Sequence, residues 1–308
     1  MKSNTQLLEE FNRRVYGHEE AKKALITLVS RSKMRHYQKY ALNIDNDELL
    51  EPSKILLIGE SGTGKSFLVQ ELQKITDFPL LMLDATQLSP SGSTDGCTQS
   101  KLQQKIVSNA ENWVKNRAEI GYTHSLAGAI SQTVVFIDEI DKLARSFDSS
   151  GNWNKHVQSN FLTLIGQSGE FASSGISFIF AGAFAGMKRI KGKTGGLGFN
   201  SEFEYTESLL DADIIEYGLI PELIGRLTAI VELDVFNEES YKYIMNNILI
   251  PKKKHSLSFF NTSFSLTEQQ IDEMIVRAMK SGQGIRYLKR ELDKNCLEAE
   301  FNSPNIGV

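Results

Sequence analysis

Gly59-Glu60-Ser61-Gly62-Thr63-Gly64-Lys65-Ser66 fits the pattern G-x-x-x-x-G-K-[ST]. On its N-terminal side Lys54-Ile55-Leu56-Leu57-Ile58 reads as a short strand buried on both faces. On its C-terminal side Phe67 to Leu72 reads as the start of a helix. A strand, a glycine-rich turn and a helix together make a phosphate cradle. The glycines let successive N–H groups point inward at an anion, and the helix adds its free N–H groups and the positive end of its dipole. In such a loop Lys65 reaches the β- and γ-phosphates and the Ser66 hydroxyl serves Mg²⁺. The motif therefore predicts a nucleotide site built from Gly59, Glu60, Ser61, Gly62, Thr63, Gly64, Lys65, Ser66 and Phe67.

Downstream, Thr133-Val134-Val135-Phe136-Ile137-Asp138-Glu139-Ile140-Asp141 runs from apolar residues into carboxylates. This describes a central parallel strand ending at a ligand-bearing edge. Asp138 is placed to hold Mg²⁺ through Ser66 or water, and Glu139 to act as general base on an attacking water. Acidic residues also follow strands as ordinary helix caps, so the assignment depends on the phosphate loop upstream.

The bulk composition agrees with a soluble, cytoplasmic expectation. With 308 residues, 41% of them hydrophobic, the chain can bury one large core or two ordinary ones. A net charge of −4 gives no basic field for nucleic acid or an anionic membrane. Cys97 and Cys296 stand too far apart for a zinc or redox pair, and the five histidines are scattered singly, each read as surface or core. No apolar run reaches membrane-spanning length, and no secretory signal is evident at the N-terminus.

The rest of the chain supplies a frame for these motifs. Asn4 or Thr5 is expected to cap a first helix ending near Phe11. Val15-Tyr16-Gly17-His18 breaks it, and a second helix follows with Ala21, Ala24, Leu25, Leu28 and Val29 on one face. Its basic, aromatic end from Arg31 to Tyr40 is read as solvated. Further buried strands are expected at Pro79–Asp84, Ser177–Ala181 and Ala229–Leu233, with helices over Thr98–Asn116 and Val157–Ile165. Three segments read as surface loops: Ser89–Gly96, Phe147–Lys155 and Gly186–Glu202. After Phe236 a small helical domain is expected. One helix runs from Glu238 and stops at Pro251, and another follows a capping box at Thr267–Gln270 with Ile271, Met274, Ile275, Ala278 and Met279 inward. Gly282 ends that helix and Gly284–Leu288 opens the last. The division expected is 1–235 for the nucleotide-binding domain and 236–308 for the small one.

Several stretches together resemble the AAA+ core of the ClpX unfoldase family, with the HslU family more distant. They are Tyr16-Gly17-His18-Glu19-Glu20-Ala21-Lys22-Lys23, the phosphate loop, Phe136 to Asp141, Ala181-Gly182-Ala183-Phe184-Ala185-Gly186, and Gly218-Leu219-Ile220-Pro221-Glu222-Leu223-Ile224-Gly225-Arg226-Leu227. The resemblance implies an α/β P-loop NTPase fold: a parallel sheet flanked by helices, with a small, mainly helical C-terminal lid. It implies ATP hydrolysis with Mg²⁺, a hexameric ring of identical chains, a protein client and a ClpP-like peptidase as partner. It places Val15 and Tyr16 near the adenine. Arg226 matches the family's arginine finger, offered to the neighbouring subunit, and Arg286 the sensor arginine of the lid. Leu197-Gly198-Phe199 resembles the tripeptide with which family members dock on the peptidase.

Departures from the family are equally specific. Where its pore loop carries an aromatic between glycines, this chain has Ser91-Gly92-Ser93-Thr94-Asp95-Gly96. A second pore-loop aromatic is expected at Trp153. The basic pore-entrance loop is shortened to Gly166-Gln167-Ser168-Gly169-Glu170, and the N-terminal zinc-binding domain is expected to be absent. Three functions follow: an ATP-driven unfoldase or remodeller, a nucleotide-switched binding module that does not thread its client, and, least favoured by the acidic balance, a DNA-processing loader.

Overall fold

The computed structural model describes residues 2–88, 99–122, 125–144, 152–165, 175–187, 211–259 and 262–301. Five strands form one all-parallel sheet: β1 (Lys54–Ile58), β2 (Leu80–Asp84), β3 (Val134–Asp138), β4 (Ser177–Gly182) and β5 (Ala229–Glu232), in spatial order β2-β3-β4-β1-β5. Each central strand is a nearly unbroken apolar run because both of its faces are covered. Alternation then sends odd and even residues to different layers. Ile55, Leu57, Val134, Phe136, Ile179 and Ala181 pack beneath α1 (Asn4–Arg14), α2 (Glu19–Tyr40) and α3 (Lys65–Thr76). Leu56, Ile58, Val135, Ile137, Phe178 and Phe180 face α4 (Gln99–Glu119), α6 (Asn152–Ile165), α7 (Asp211–Tyr217) and α8 (Pro221–Ile224). One short helix, α5 (Leu126–Ser131), precedes β3.

A separate helical cluster follows β5. It comprises α9 (Glu238–Ile244), α10 (Ile250–Ser258), α11 (Glu268–Ser281) and α12 (Ile285–Phe301), with its own core of Met245, Met274, Ile275, Ala278, Leu288 and Leu292. Asn237 caps α9 by accepting from the Ser240 N–H at 2.9 Å. Thr267 and Gln270 form the expected capping box, and Gly282 closes α11 in the left-handed conformation at φ 65°.

Several sequence expectations are corrected. Pro251 does not stop its helix: the chain passes from α9 through a π turn, Met245–Leu249, straight into α10. There the Ile250 N–H reaches back five residues to the Met245 carbonyl, and the widened turn leaves room for a ring that an α-helical turn would exclude. The cap of α1 is Ser3, boxed with Gln6, and the helix runs on to Arg14. Met279 is 45% exposed, off the buried face of α11. The far end of α2 is not simply solvated, since Ser32 and Arg35 are buried and Arg35 donates to the Leu50 carbonyl. Asn152 is already helical, three residues before the expected end of the loop. Ser89–Gly96, Gly166–Glu170 and Leu197-Gly198-Phe199 lie outside the described residues.

Candidate nucleotide site

The phosphate loop links the C-terminal end of β1 to α3. Two of its glycines take positive φ, Gly62 at 83° and Gly64 at 101°, a region L-residues with side chains rarely occupy. Gly64 is the residue before the helix, so the free N–H groups of the first turn of α3 face the loop. The Gly59 N–H donates to the Gly182 carbonyl at 3.2 Å, tying the loop to β4. Lys65 is buried, and its ammonium donates to the loop's own Gly59 and Glu60 carbonyls. Burial holds its pKa below the usual lysine value, while Asp138, Asp141 and Glu139 oppose that shift.

At the end of β3 the Ser66 hydroxyl donates to Asp138 Oδ2 at 2.6 Å. A hydroxyl and a carboxylate oxygen held this close are the hard donors a magnesium ion prefers, so the residues fit that ion. Glu139 is exposed and takes a left-handed φ of 56°, with its N–H on Asp138 Oδ1 at 3.0 Å. That turn carries the chain off the strand and leaves the Glu139 carboxylate at the open edge. Two residues on, Asp141 is buried and accepts from the Ala183 N–H at 3.2 Å, bracing the end of β4.

These groups share one cavity of about 470 Å³. Its phosphate end is made by Ser61 to Ser66 with Asp138 and Glu139, and Arg286 and Lys289 of α12 bring two further cations. Its other end is apolar, with Val15, Tyr16, Ile244, Ile248 and Leu249. Tyr16 packs on Tyr243 with ring centroids 4.6 Å apart, and the Val15 carbonyl accepts from the buried Lys22 ammonium at 2.8 Å. A cavity cationic at one end and apolar at the other suits a nucleotide, whose phosphates need charge and whose base needs a dry wall.

The structure therefore brings Val15, Tyr16, Ser61, Gly62, Thr63, Gly64, Lys65, Ser66, Phe67, Asp138, Glu139 and Arg286 to one place. Gly59 and Glu60 lie behind the loop, lining a neighbouring groove beside Tyr241. Arg226 is elsewhere: it is exposed, donates to the Leu162 carbonyl, and lies near Lys54 at the opposite end of β1 from the loop. Among the lining residues that the sequence did not mark as site residues are His18, Asp141 and Lys289. Asp141 stood inside a quoted motif three residues after Asp138, and Lys289 stands three after Arg286 on the same helix face. His18 stood in the quoted stretch Tyr16 to Lys23, but as a solitary histidine it was read as surface or core.

A five-stranded parallel sheet, a phosphate loop and a carboxylate pair at the adjacent strand end define a P-loop ATPase with a helical lid. Residues 50–230 match the AAA domain family (Cdc48 subfamily), and the chain belongs to that family; it is an AAA+ ATPase. Within it the chain is ClpX-like: it is 28% identical to the ATP-dependent Clp protease ATP-binding subunit ClpX of Treponema denticola, over 98% of this chain and 77% of that protein. Among the described residues, no helix is long and apolar enough to cross a membrane.

Proposed function

We propose that the protein is an ATP-driven unfoldase or remodeller of protein clients, acting in the cytoplasm as a hexameric ring of identical subunits with ATP and Mg²⁺. Residues 1–235 form the nucleotide-binding domain and 236–308 the lid. Lys65 and Arg286 compensate the charge of the phosphates, Ser66 and Asp138 hold the magnesium ion, and Glu139 accepts the proton of the attacking water. Bound there, the ion would supply charge neutralisation to the phosphates. Val15 and Tyr16 cover the base.

The observation that carries the ring is the position of Arg226. An exposed guanidinium at the end of β1 remote from its own phosphate loop cannot serve that loop. A neighbour's loop presented to it would gain the cation that stabilises charge on the transferred phosphoryl group. A head-to-tail contact of this kind closes into a ring when its rotation permits.

A ClpP-like peptidase is the partner this reading favours, docked through Leu197, Gly198 and Phe199. The serine- and threonine-rich stretch Ser91–Gly96 favours a second reading, a nucleotide-switched module that holds its partner without threading it, because small polar side chains offer little grip. Capture with Glu139→Gln in the presence of ATP and Mg²⁺ separates the two. A mixed set of clients together with a peptidase, the peptidase lost in Phe199→Ala, supports unfolding for degradation. One stoichiometric partner supports the switch.

A further inference from the structure

His18 is buried between three parts of the molecule and bonded to two of them by its ring. Its Nδ1 accepts from the Asp234 N–H at 2.9 Å, and its Nε2 lies 3.0 Å from the Thr63 carbonyl. The first contact requires a lone pair on Nδ1, so the ring's one proton sits on Nε2 and is donated to Thr63. Burial, which pushes the imidazole pKa below its ordinary value, agrees with this neutral form. The backbone joins in: the His18 N–H donates to the Asp234 carboxylate, and the ring lies 4.7 Å from that of Phe236. Asp234 and Phe236 belong to the segment between β5 and α9, the crossing from sheet to lid. His18 itself holds a left-handed φ of 60°, which any non-glycine residue keeps only when its surroundings demand it.

The Thr63 carbonyl and the Gly64 N–H belong to one planar peptide unit and point in opposite directions. Drawing the carbonyl outward onto the imidazole therefore turns the Gly64 N–H toward the interior of the phosphate loop. We infer that His18 is a positioning residue for nucleotide binding: it orients the Thr63–Gly64 peptide toward the phosphates and ties that peptide to the sheet-to-lid crossing at Asp234. The loop's geometry and the seating of the lid are then set by one side chain bonded to both. This rests on reading the cavity as the ATP site.

The test compares His18→Phe and His18→Gln in the full-length chain. Phenylalanine keeps the ring against Phe236 but has no polar atom. Glutamine restores one donor and one acceptor. His18→Phe is expected to raise the KM for ATP about tenfold, the loss of roughly one hydrogen bond to a well-placed group, with a smaller change in kcat. In His18→Gln the KM returns to within about threefold of the wild type. An unaltered KM in His18→Phe overturns the inference. So does a raised KM that glutamine leaves uncorrected while it restores the melting temperature, since the two hydrogen bonds would then not be what sets nucleotide affinity. Failure of the wild-type chain itself to bind ATP would instead overturn the site assignment, a result distinguishable from both.

Discussion

Gly62 of the phosphate loop lies directly against the Gln283 carbonyl, on the turn between α11 and α12. A Cβ built on Gly62 would overlap that oxygen and stand 2.8 Å from its carbon. The reverse approach is looser but still tight, because a Cβ on Gly284 would come within 3.1 Å of the Gly62 carbonyl oxygen. Two backbones in contact leave no intervening layer, so movement of the lid is felt by the phosphate loop without any side chain to absorb it. Arg286 begins two residues later, on the helix that this turn launches.

Gly62→Ala tests that contact. The substitution meets a backbone oxygen and a φ of 83°, so the lid must retreat or the loop must deform. ATP affinity is expected to fall at least about tenfold, read by titration of bound nucleotide. Unchanged affinity would show that the lid is not seated on the loop in the binding state.

Lys65→Ala and Glu139→Gln should both abolish hydrolysis but differ in binding. Lys65→Ala removes the cation beside the phosphates and should lose ATP binding. Glu139→Gln keeps the cavity and loses only the proton acceptor, so ATP is retained while kcat falls by roughly 10²-fold or more. Equal binding by both variants would mean that Lys65 stays on the Gly59 and Glu60 carbonyls when nucleotide enters.

Arg226→Ala and Glu139→Gln are each expected to be inactive, and mixing them tests whether Arg226 acts in trans. With random assembly about a quarter of sites would pair an intact Glu139 with a neighbour's intact Arg226, so ATPase activity should partly return. No recovery after verified exchange of subunits counts against the finger assignment.

His18 also predicts a pH dependence of stability. Its pKa is lowered in the folded chain, with burial and the Lys22 ammonium acting against the Thr63 carbonyl and the Asp234 carboxylate. The unfolded chain therefore binds the proton first. Its contribution is complete above the ordinary value of 6.5 and is lost as pH falls below it. The slope is at most about 1.4 kcal/mol per pH unit for one proton. Denaturant titrations at several pH values should show that slope in the wild type and a shallower one in His18→Gln.

Local chemistry made much of the fold legible. The strands at Lys54–Ile58 and Val134–Asp138 announced themselves because both faces are buried and no polar residue interrupts them. The capping box at Thr267 and the stop at Gly282 were equally readable, since their hydrogen bonds span only three or four residues. Pro251 misled because the π turn that accommodates it is favoured by packing of Met245 into the lid core, a contact between distant segments. His18 looked like any solitary histidine, for its partners lie 45 and 216 residues away.

By itself, then, the order of residues determined the phosphate loop, the carboxylate pair after β3 and the parallel sheet between them, because each depends on neighbours along the chain. Tertiary structure alone decided what surrounds the site. It brought Arg286 and Lys289 over the phosphate end, set Gly62 against Gln283, closed His18 between Thr63 and Asp234, and left Arg226 at the far end of β1. Those relationships arise from how helices and sheet bury their apolar faces on one another, and no periodicity within a single segment encodes them.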